Sequence, residues 1–508
     1  MTTGGNLFHT FEAGFTASAS AVAIEAVDGT PLLTFAALST AVARFANALE
    51  ALGVRPGDRV SVQIDKSLGA IALYLAVLKT GAVLNPLNTA YTPPEVEYFI
   101  ADAAPALVVT SPEKAASVEP IARRHGSAHA TLDGLSAGSL AGEAARHPPD
   151  HETCARRPHD LAGLLYTSGT TGRPKGAMLS HGNLLSNATT LREVWAFTPD
   201  DILLHALPVF HVHGLYVALN TAFLSANRII WLERFDTADV LRALPRATIF
   251  MGIPTYYTRL LADERFDPAA CKTIRLLISG SAPLLPETHA AVFERTGRQV
   301  LERYGMTETG MIASNPVAGA RMAGSVGFAL PGVDVRIADS DGRLLPPGEI
   351  GVLEVSGPNV FSGYWRRERS RAEDFRTDGF FITGDIGTMD AAGRITLLGR
   401  AKDVIISGGL NVYPREVEQA LDSIEGIAEA AVIGVPHPDF GEAVIAVVTG
   451  DTSMPEEAAI LDALRASLAK FKLPKRIFAT DELPRNAMGK VQKAELRRRF
   501  ANVFAAQP

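Results

Sequence analysis

From Leu38 to Ser279 the chain alternates segments of helical period with short apolar runs, and a pattern sustained that long is met by layered α/β architecture. Leu38, Val42, Phe45, Leu49 and Leu52 fall on one helical face, which Gly53 and Pro56 close. Val60, Val62 and Ile64 then alternate with polar residues as a strand does, Leu68 to Leu78 reads as a helix, and Ala106 to Thr110 as a buried strand. Further apolar strands at 162–166, 202–207, 247–253 and 274–279 each precede a helix or a turn-rich loop. At 508 residues the chain exceeds what one hydrophobic core supports, so a large subdivided domain and a smaller one are expected.

The texture changes twice. From Ser325 and Val326 to about Arg400 short β segments are separated by Gly and Pro, which predicts a β-rich subdomain. A compact α+β unit follows, with a helix at 415–421, strands at 430–435 and 444–448, and a helix near 456–471. Between Gly134 and His159 no stable period survives, as in a surface connection; His151 and Cys154 there lack the second pair a zinc site needs. The stretch 206–227 carries no charge and would suit a membrane span in length, but Pro208, His211, His213 and Asn220 favour a buried strand, a loop and a core helix.

Composition excludes several classes. A net charge of -7 with no basic block argues against nucleic-acid binding, and the run Arg497 to Arg499 reads as a solvated helix end. Two cysteines cannot frame a disulfide fold and fit a reducing cytoplasm, and with Arg44 the first basic residue no secretory or transit signal is expected.

Four strings carry chemistry. Tyr166 to Gly176, YTSGTTGRPKG, follows an apolar strand: Gly169, Gly172 and Gly176 allow backbone N–H groups close to a phosphate, while Thr167, Ser168, Thr170, Thr171 and Lys175 complete the cradle. No Walker spacing can be drawn through it. In Glu302 to Thr309, ERYGMTET, Tyr304 can stack on a base, Thr307 bind a phosphate oxygen and Glu308 hold Mg²⁺. In FFITGDIG, Asp385 ends a strand where it can accept ribose hydroxyls, with Arg400 as an added donor; alone, Asp385 would read as a turn residue. In PRNAMGK, Gly489 beside Lys490 suits a side chain that reaches into a site on another domain, although by sequence alone Lys490 could lie on the surface.

Together and in this order these strings resemble the acyl-adenylate-forming superfamily, which includes acyl-CoA synthetases, peptide-synthetase adenylation domains and luciferases. The resemblance spans essentially the whole chain. It implies an N-terminal domain over 1–401, with the β-rich subdomain at about 325–400, and a mobile C-terminal domain over 402–508 hinged at Lys402. It further implies that Ser281, Ala282, Pro283, Glu302, Arg303, Tyr304, Gly305 and Met306 join the phosphate loop, Asp385 and Arg400 around ATP, and that Lys490 grips the carboxylate and α-phosphate. Ser407, Gly408, Gly409 and Leu410 are similar to the element that receives coenzyme A. Lys490 also resembles sites at which a lysine acetyltransferase silences relatives.

For the acid, His211 in LPVFHVHGL, Arg259 in GIPTYYTRLL and Ser281 in SGSAPL are the candidates, each with a plainer reading as pocket shape, solvated helix face or adenine turn. The matching segments resemble those of malonyl-CoA synthetases, which implies malonate held by Arg259 with His211 and Ser281 assisting. Gly310 and Ile312 depart from that pattern and bear on methylmalonate. The expected reaction uses ATP, Mg²⁺ and coenzyme A with small-molecule partners, no nucleic acid and no membrane. Loading of a carrier protein, another short acid, a luciferase-type oxygenase and a nucleotide-binding sensor are the alternatives.

Overall fold

The computed structural model describes residues 5–167, 174–367, 371–486 and 489–504. The sequence-expected helix extends over Phe35–Ala51 and buries Leu38, Val42, Phe45 and Leu49, each contributing about 1.5–3 kcal/mol on leaving water. Thr34 caps it, its hydroxyl accepting from the Ala37 N–H at 3.1 Å. The strand Arg59–Gln63 does not have the half-solvated alternation read from it: Ser61 and Gln63 are buried as well. It lies inside a parallel sheet covered on both faces, and its polar side chains are satisfied there, Ser61 by Asn85 at 2.8 Å and Gln63 by the Asn88 and Tyr91 carbonyls.

That sheet has six strands, in the order Ala128–Thr131, Leu107–Thr110, Arg59–Gln63, Val83–Pro86, Leu161–Thr167 and Lys175–Ser180. Only the last pair is antiparallel, so Thr167 and Lys175 end side by side where the phosphate string begins and ends. A second, thirteen-stranded path changes character at Val300–Met306. On one side this strand pairs in parallel with Leu276–Ser279, followed by Ile249–Gly252 and Ile202–His205; on the other it pairs antiparallel with Gly310–Ser314. The β-rich segment, strands Gly327–Ala329 to Arg394–Arg400, thus continues that sheet edge to edge.

The charge-free stretch 206–227 becomes a loop, a π-helix over His213–Leu219 and a helix over Asn220–Leu224. Among the described residues no helix is long and apolar enough to cross a membrane.

Residues from Ile405 onward build their own sheet and cores. Strand alternation sends Val432, Val444 and Ala446 to one face, under Pro414–Asp422 and Glu457–Arg465, and Ile433, Ile445 and Val447 to the other, against Leu496 of Lys493–Phe500. The run Arg497 to Arg499 is not merely solvated: Arg497 pairs with Asp403 at 2.7 Å, tying the last helix to the turn Ala401–Asp403.

Candidate active site

A cleft of about 400 Å³ opens between the two domains, lined from one side by Ser281, Ala282, Pro283, Glu302, Arg303, Tyr304, Gly305, Asp385 and Arg400, and from the other by Arg415, Arg485 and Lys490. Segments far apart in the chain, SGSAPL, ERYGMTET, FFITGDIG and PRNAMGK, therefore converge on one space, whose lining does not include Thr167 or Lys175. Ser168, Gly169, Thr170, Thr171 and Gly172 lie outside the described residues.

At one end the side chains are already bonded to one another. Asp385 ends up opposite Arg400 in the antiparallel register, and Arg400 Nε meets its Oδ1 at 2.7 Å. The Tyr304 hydroxyl donates to the other carboxylate oxygen. Thr383 Oγ1 accepts from the Asp385 N–H at 3.0 Å, and the Arg400 guanidinium donates to the Thr383 carbonyl at 3.4 Å. Glu302 accepts the Gly324 N–H at 3.1 Å; burial pushes its carboxyl up to about 7, against the pull of Arg415 across the cleft.

At the opposite end Ser279, Ser281 and Arg303 line the cleft, while His211 and His213 lie next to them outside its lining. Gly280 follows the strand Leu276–Ser279, and a Cβ there would come within 2.3 Å of the Arg303 guanidinium, so glycine is what lets that group lie against the turn. Arg303 Nε and Nη2, His211 Nδ1, His213 Nε2 and Ser279 Oγ are all shut off from solvent with no hydrogen-bond partner among the described residues. Burial lowers the Arg303 guanidinium to about 9 and His211 to about 3, the latter helped by the positive charges of Lys490 and Arg303. His213 is driven well below the usual imidazole range by burial, and its Nδ1 lies 3.2 Å from Ser281 Oγ. Ser281 itself takes φ +71°. Both imidazoles are therefore neutral dipoles facing a fixed cation.

Lys490 reaches this point from the smaller domain. Gly489, at φ +74°, packs its backbone on Thr255 and Ile253 of the larger domain, and the Lys490 N–H is held by Asn486 Oδ1 at 3.0 Å. Burial lowers the Lys490 ammonium from its ordinary value, with Arg400 adding to the shift and Asp385 and Glu308 opposing it.

Glu308 sits with Thr307 in the turn joining Val300–Met306 to Gly310–Ser314, both buried; Met306 at the strand end accepts the Thr309 N–H through its carbonyl. Glu308 Oε1 accepts from Thr167 Oγ1 at 3.1 Å and from the Tyr364 hydroxyl at 2.8 Å. No group of three or more His, Cys, Asp or Glu is placed to hold a metal among the described residues. One carboxylate beside a phosphate cradle fits magnesium, which takes few protein ligands and the rest from phosphate and water.

These elements, a nucleotide cleft between two separately cored domains with a lysine inserted from the smaller one, are matched over most of the sequence. The AMP-binding enzyme family covers residues 12–365, and its C-terminal domain family covers residues 416–490. The chain belongs to the AMP-binding enzyme family. Its curated relatives include acyl-CoA ligases. It is 39% identical to a feruloyl-CoA synthase of Amycolatopsis sp over 477 residues, 93% of this chain and 95% of that protein. It is 35% identical to the mitochondrial malonate–CoA ligase of Mus musculus, covering 87% and 82%. Crystalline ATP-bound MatB from Rhodopseudomonas palustris superposes with a TM-score of 0.95 at 49% identity, covering 99% of this chain and 100% of that one. The protein is accordingly an ATP-using CoA ligase of the AMP-binding family.

One sequence-derived placement within this AMP-binding enzyme differs in the structure. Arg259 is exposed on the last turn of Pro254–Leu261 and does not line the cleft, because the buried face of that helix is given to Tyr256, Tyr257 and Leu260. Arg303, grouped in the sequence with the nucleotide residues, lines the same cleft as they do and also lies beside the histidines. The signal was present: on a strand Arg303 must face opposite to Glu302 and Tyr304. Tyr364 was missed, since GYWRR belongs to no string singled out.

The glycine hairpin does not line the cleft. Ser407 and Leu410 pair across a two-residue turn in which Gly408 and Gly409 have φ +59° and +80°, the geometry that joins twisted strands tightly. Leu410 is 49% exposed and Lys402 is exposed in the turn before it.

Proposed function

We propose that the protein is a malonyl-CoA synthetase. The observation that carries this reading is the set of buried, unpartnered polar atoms of Arg303, His211, His213 and Ser279 beside Lys490. Leaving such groups unmet costs about 1–3 kcal/mol each, more for the charged one, and a short dicarboxylate meets them with its distal carboxylate. An aromatic acid of the feruloyl kind would leave the guanidinium unpaired. A sulfoacetate–CoA ligase from Cupriavidus necator is 34% identical, and a sulfonate would use the same cation, so sulfoacetate is the second reading. Gly310 and Ile312, which bear on methylmalonate by resemblance, do not line the cleft; Ile312 is fully buried, and Gly310, at φ +58°, is closed in by Asn187.

In the first half-reaction a malonate oxygen attacks the α-phosphorus of ATP and pyrophosphate leaves, giving malonyl-AMP. Lys490 offsets the charge that builds on phosphorus and carboxylate, while Asp385, Tyr304 and Arg400 hold the nucleoside. Mg²⁺ held through Glu308 would neutralise the phosphate oxygens. In the second, the coenzyme A sulfur attacks the acyl carbon and AMP departs. Rotation about Lys402 would withdraw Lys490 and bring in Ser407 to Leu410, whose apolar rim of Ile406, Leu410 and Phe440, with Lys475 over the Phe440 ring at 4.6 Å, suits a pantetheine arm and its phosphates. Lys490 lines the cleft yet is exposed, and it is the side chain on which a lysine acetyltransferase would act.

A panel of mono- and dicarboxylic acids and sulfoacetate, read by thioester formation, tests the substrate: malonate is expected to exceed propionate and ferulate by orders of magnitude. Preference for a monocarboxylate would overturn the assignment. Lys490→Ala is expected to lower pyrophosphate release roughly a hundred- to thousandfold while thioester still forms from supplied malonyl-AMP. Equal damage to both halves would count against two arrangements.

A further inference from the structure

The segment 361–365 joins the two places where the phosphates of ATP must lie. The Phe361 N–H donates to the Glu308 carbonyl at 2.8 Å, the Trp365 N–H to the Gly176 carbonyl at 2.8 Å, and the Met178 N–H returns to the Gly363 carbonyl at 3.1 Å. Its backbone is thus an extra rung between the turn that bears Glu308 and the strand that starts at Lys175.

Tyr364 stands in the middle of that rung. Its hydroxyl donates to Glu308 Oε1 at 2.8 Å, the oxygen that also accepts from Thr167 Oγ1. With both donors on Oε1, Oε2 has no hydrogen bond among the described residues, and the plane of the carboxylate is set. The face of the same ring receives Lys175 Nζ at 4.9 Å from its centroid, and Phe361 packs edge-on against it at 4.9 Å. Lys175 also lies 3.9 Å from Asp374 Oδ1, a loose contact that leaves the ammonium available to phosphate.

We propose that Tyr364 is a positioning residue for the magnesium–triphosphate end of ATP, its hydroxyl turning Glu308 toward the metal and its ring holding Lys175 alongside. This rests on the adenylate-forming reading but is independent of which acid is used. Magnesium demands near-octahedral geometry, so a single carboxylate must be presented at a defined angle. Groups that orient a metal ligand are typically worth ten- to a hundredfold in metal affinity. A tyrosine needed only to fill space between Phe361 and the hairpin would be replaced by phenylalanine without consequence.

Calorimetric titration of ATP into the whole protein, with and without Mg²⁺, separates the two roles. Tyr364→Phe is expected to bind metal-free ATP within about twofold of wild type while its Mg²⁺-dependent tightening falls roughly tenfold. Tyr364→Leu, which also removes the ring face, is expected to weaken metal-free binding as well. Thr167→Val, which removes the other donor to Oε1, should reproduce the metal defect in smaller measure without touching Tyr364. A Tyr364→Phe protein that responds to Mg²⁺ as wild type does overturns the proposal. Wild type without any Mg²⁺-dependent tightening overturns it together with the adenylate-forming reading, whereas failure with malonate alone affects only the acid.

Discussion

At the proposed nucleoside end of the cleft Asp385 is engaged on both oxygens, by Arg400 and Tyr304, whereas at the proposed acid end Arg303, His211, His213 and Ser279 hold buried polar atoms that nothing among the described residues answers. The first arrangement is complete without ligand, so ATP meets side chains already aimed and loses little in ordering them. The second is incomplete until an acid of the right charge enters. On the proposed assignment, affinity for the nucleotide would be built from internal bonds, and discrimination among acids from withheld ones.

The largest effect that would test this contrast is at Arg303. Arg303→Met is expected to reduce the malonate-to-propionate ratio of kcat/KM roughly a thousandfold, because it deletes a buried charge partner. Arg259→Ala, at an exposed cation, should move the same ratio by no more than about fivefold. The reverse order would return the distal carboxylate to Arg259 and break the contrast. At the nucleoside end, Asp385→Asn should raise the KM for ATP roughly tenfold, the loss of one charge-assisted bond, and leave the acid ratio unchanged. A shifted acid ratio would mean that the two ends are not separable. The smallest effect lies in the wall of the smaller domain. Burial pushes Asp422 up to about 7, with Arg415 opposing and Glu418 and Glu429 adding to the rise. A carboxyl whose folded value exceeds its unfolded one contributes stability below about 4 that is lost as pH rises through about 7. Asp422→Asn does not titrate, and the Ala430 N–H that donates to Asp422 Oδ1 at 2.9 Å keeps an acceptor. Relative to wild type its Tm should rise by about 2 °C between pH 5 and 8. Identical pH curves for the two proteins would show that Asp422 is not strained toward its neutral form.

The sequence made the layered α/β body and the separate α+β unit legible because both announce themselves in periodicity, and the nucleotide strings because hydroxyls, glycines and a lysine are crowded into a few positions. Three things were not legible. A π-helix has no side-chain period distinct enough to separate His213–Leu219 from an ordinary core helix. The passage of the parallel sheet into an antiparallel one at Val300–Met306 depends on pairing between strands, which no single strand encodes. Tyr364 acts through contacts with residues far away in the chain, Glu308 and Lys175, and nothing local to GYWRR points to them. Arg303 is a different case. Its neighbours' roles concealed it, although strand parity separates it from them.

The left-handed backbone at Ser281 has a consequence for any attempt to evolve this protein. A side chain in that region carries about 1–2 kcal/mol of steric cost that glycine would not, yet the hydroxyl there is what neighbours His213 Nδ1 at 3.2 Å. Selection for heat resistance alone would favour glycine at this turn, and the robust descendants would be the less choosy ones, so thermal hardiness and fidelity pull in opposite directions at a single codon.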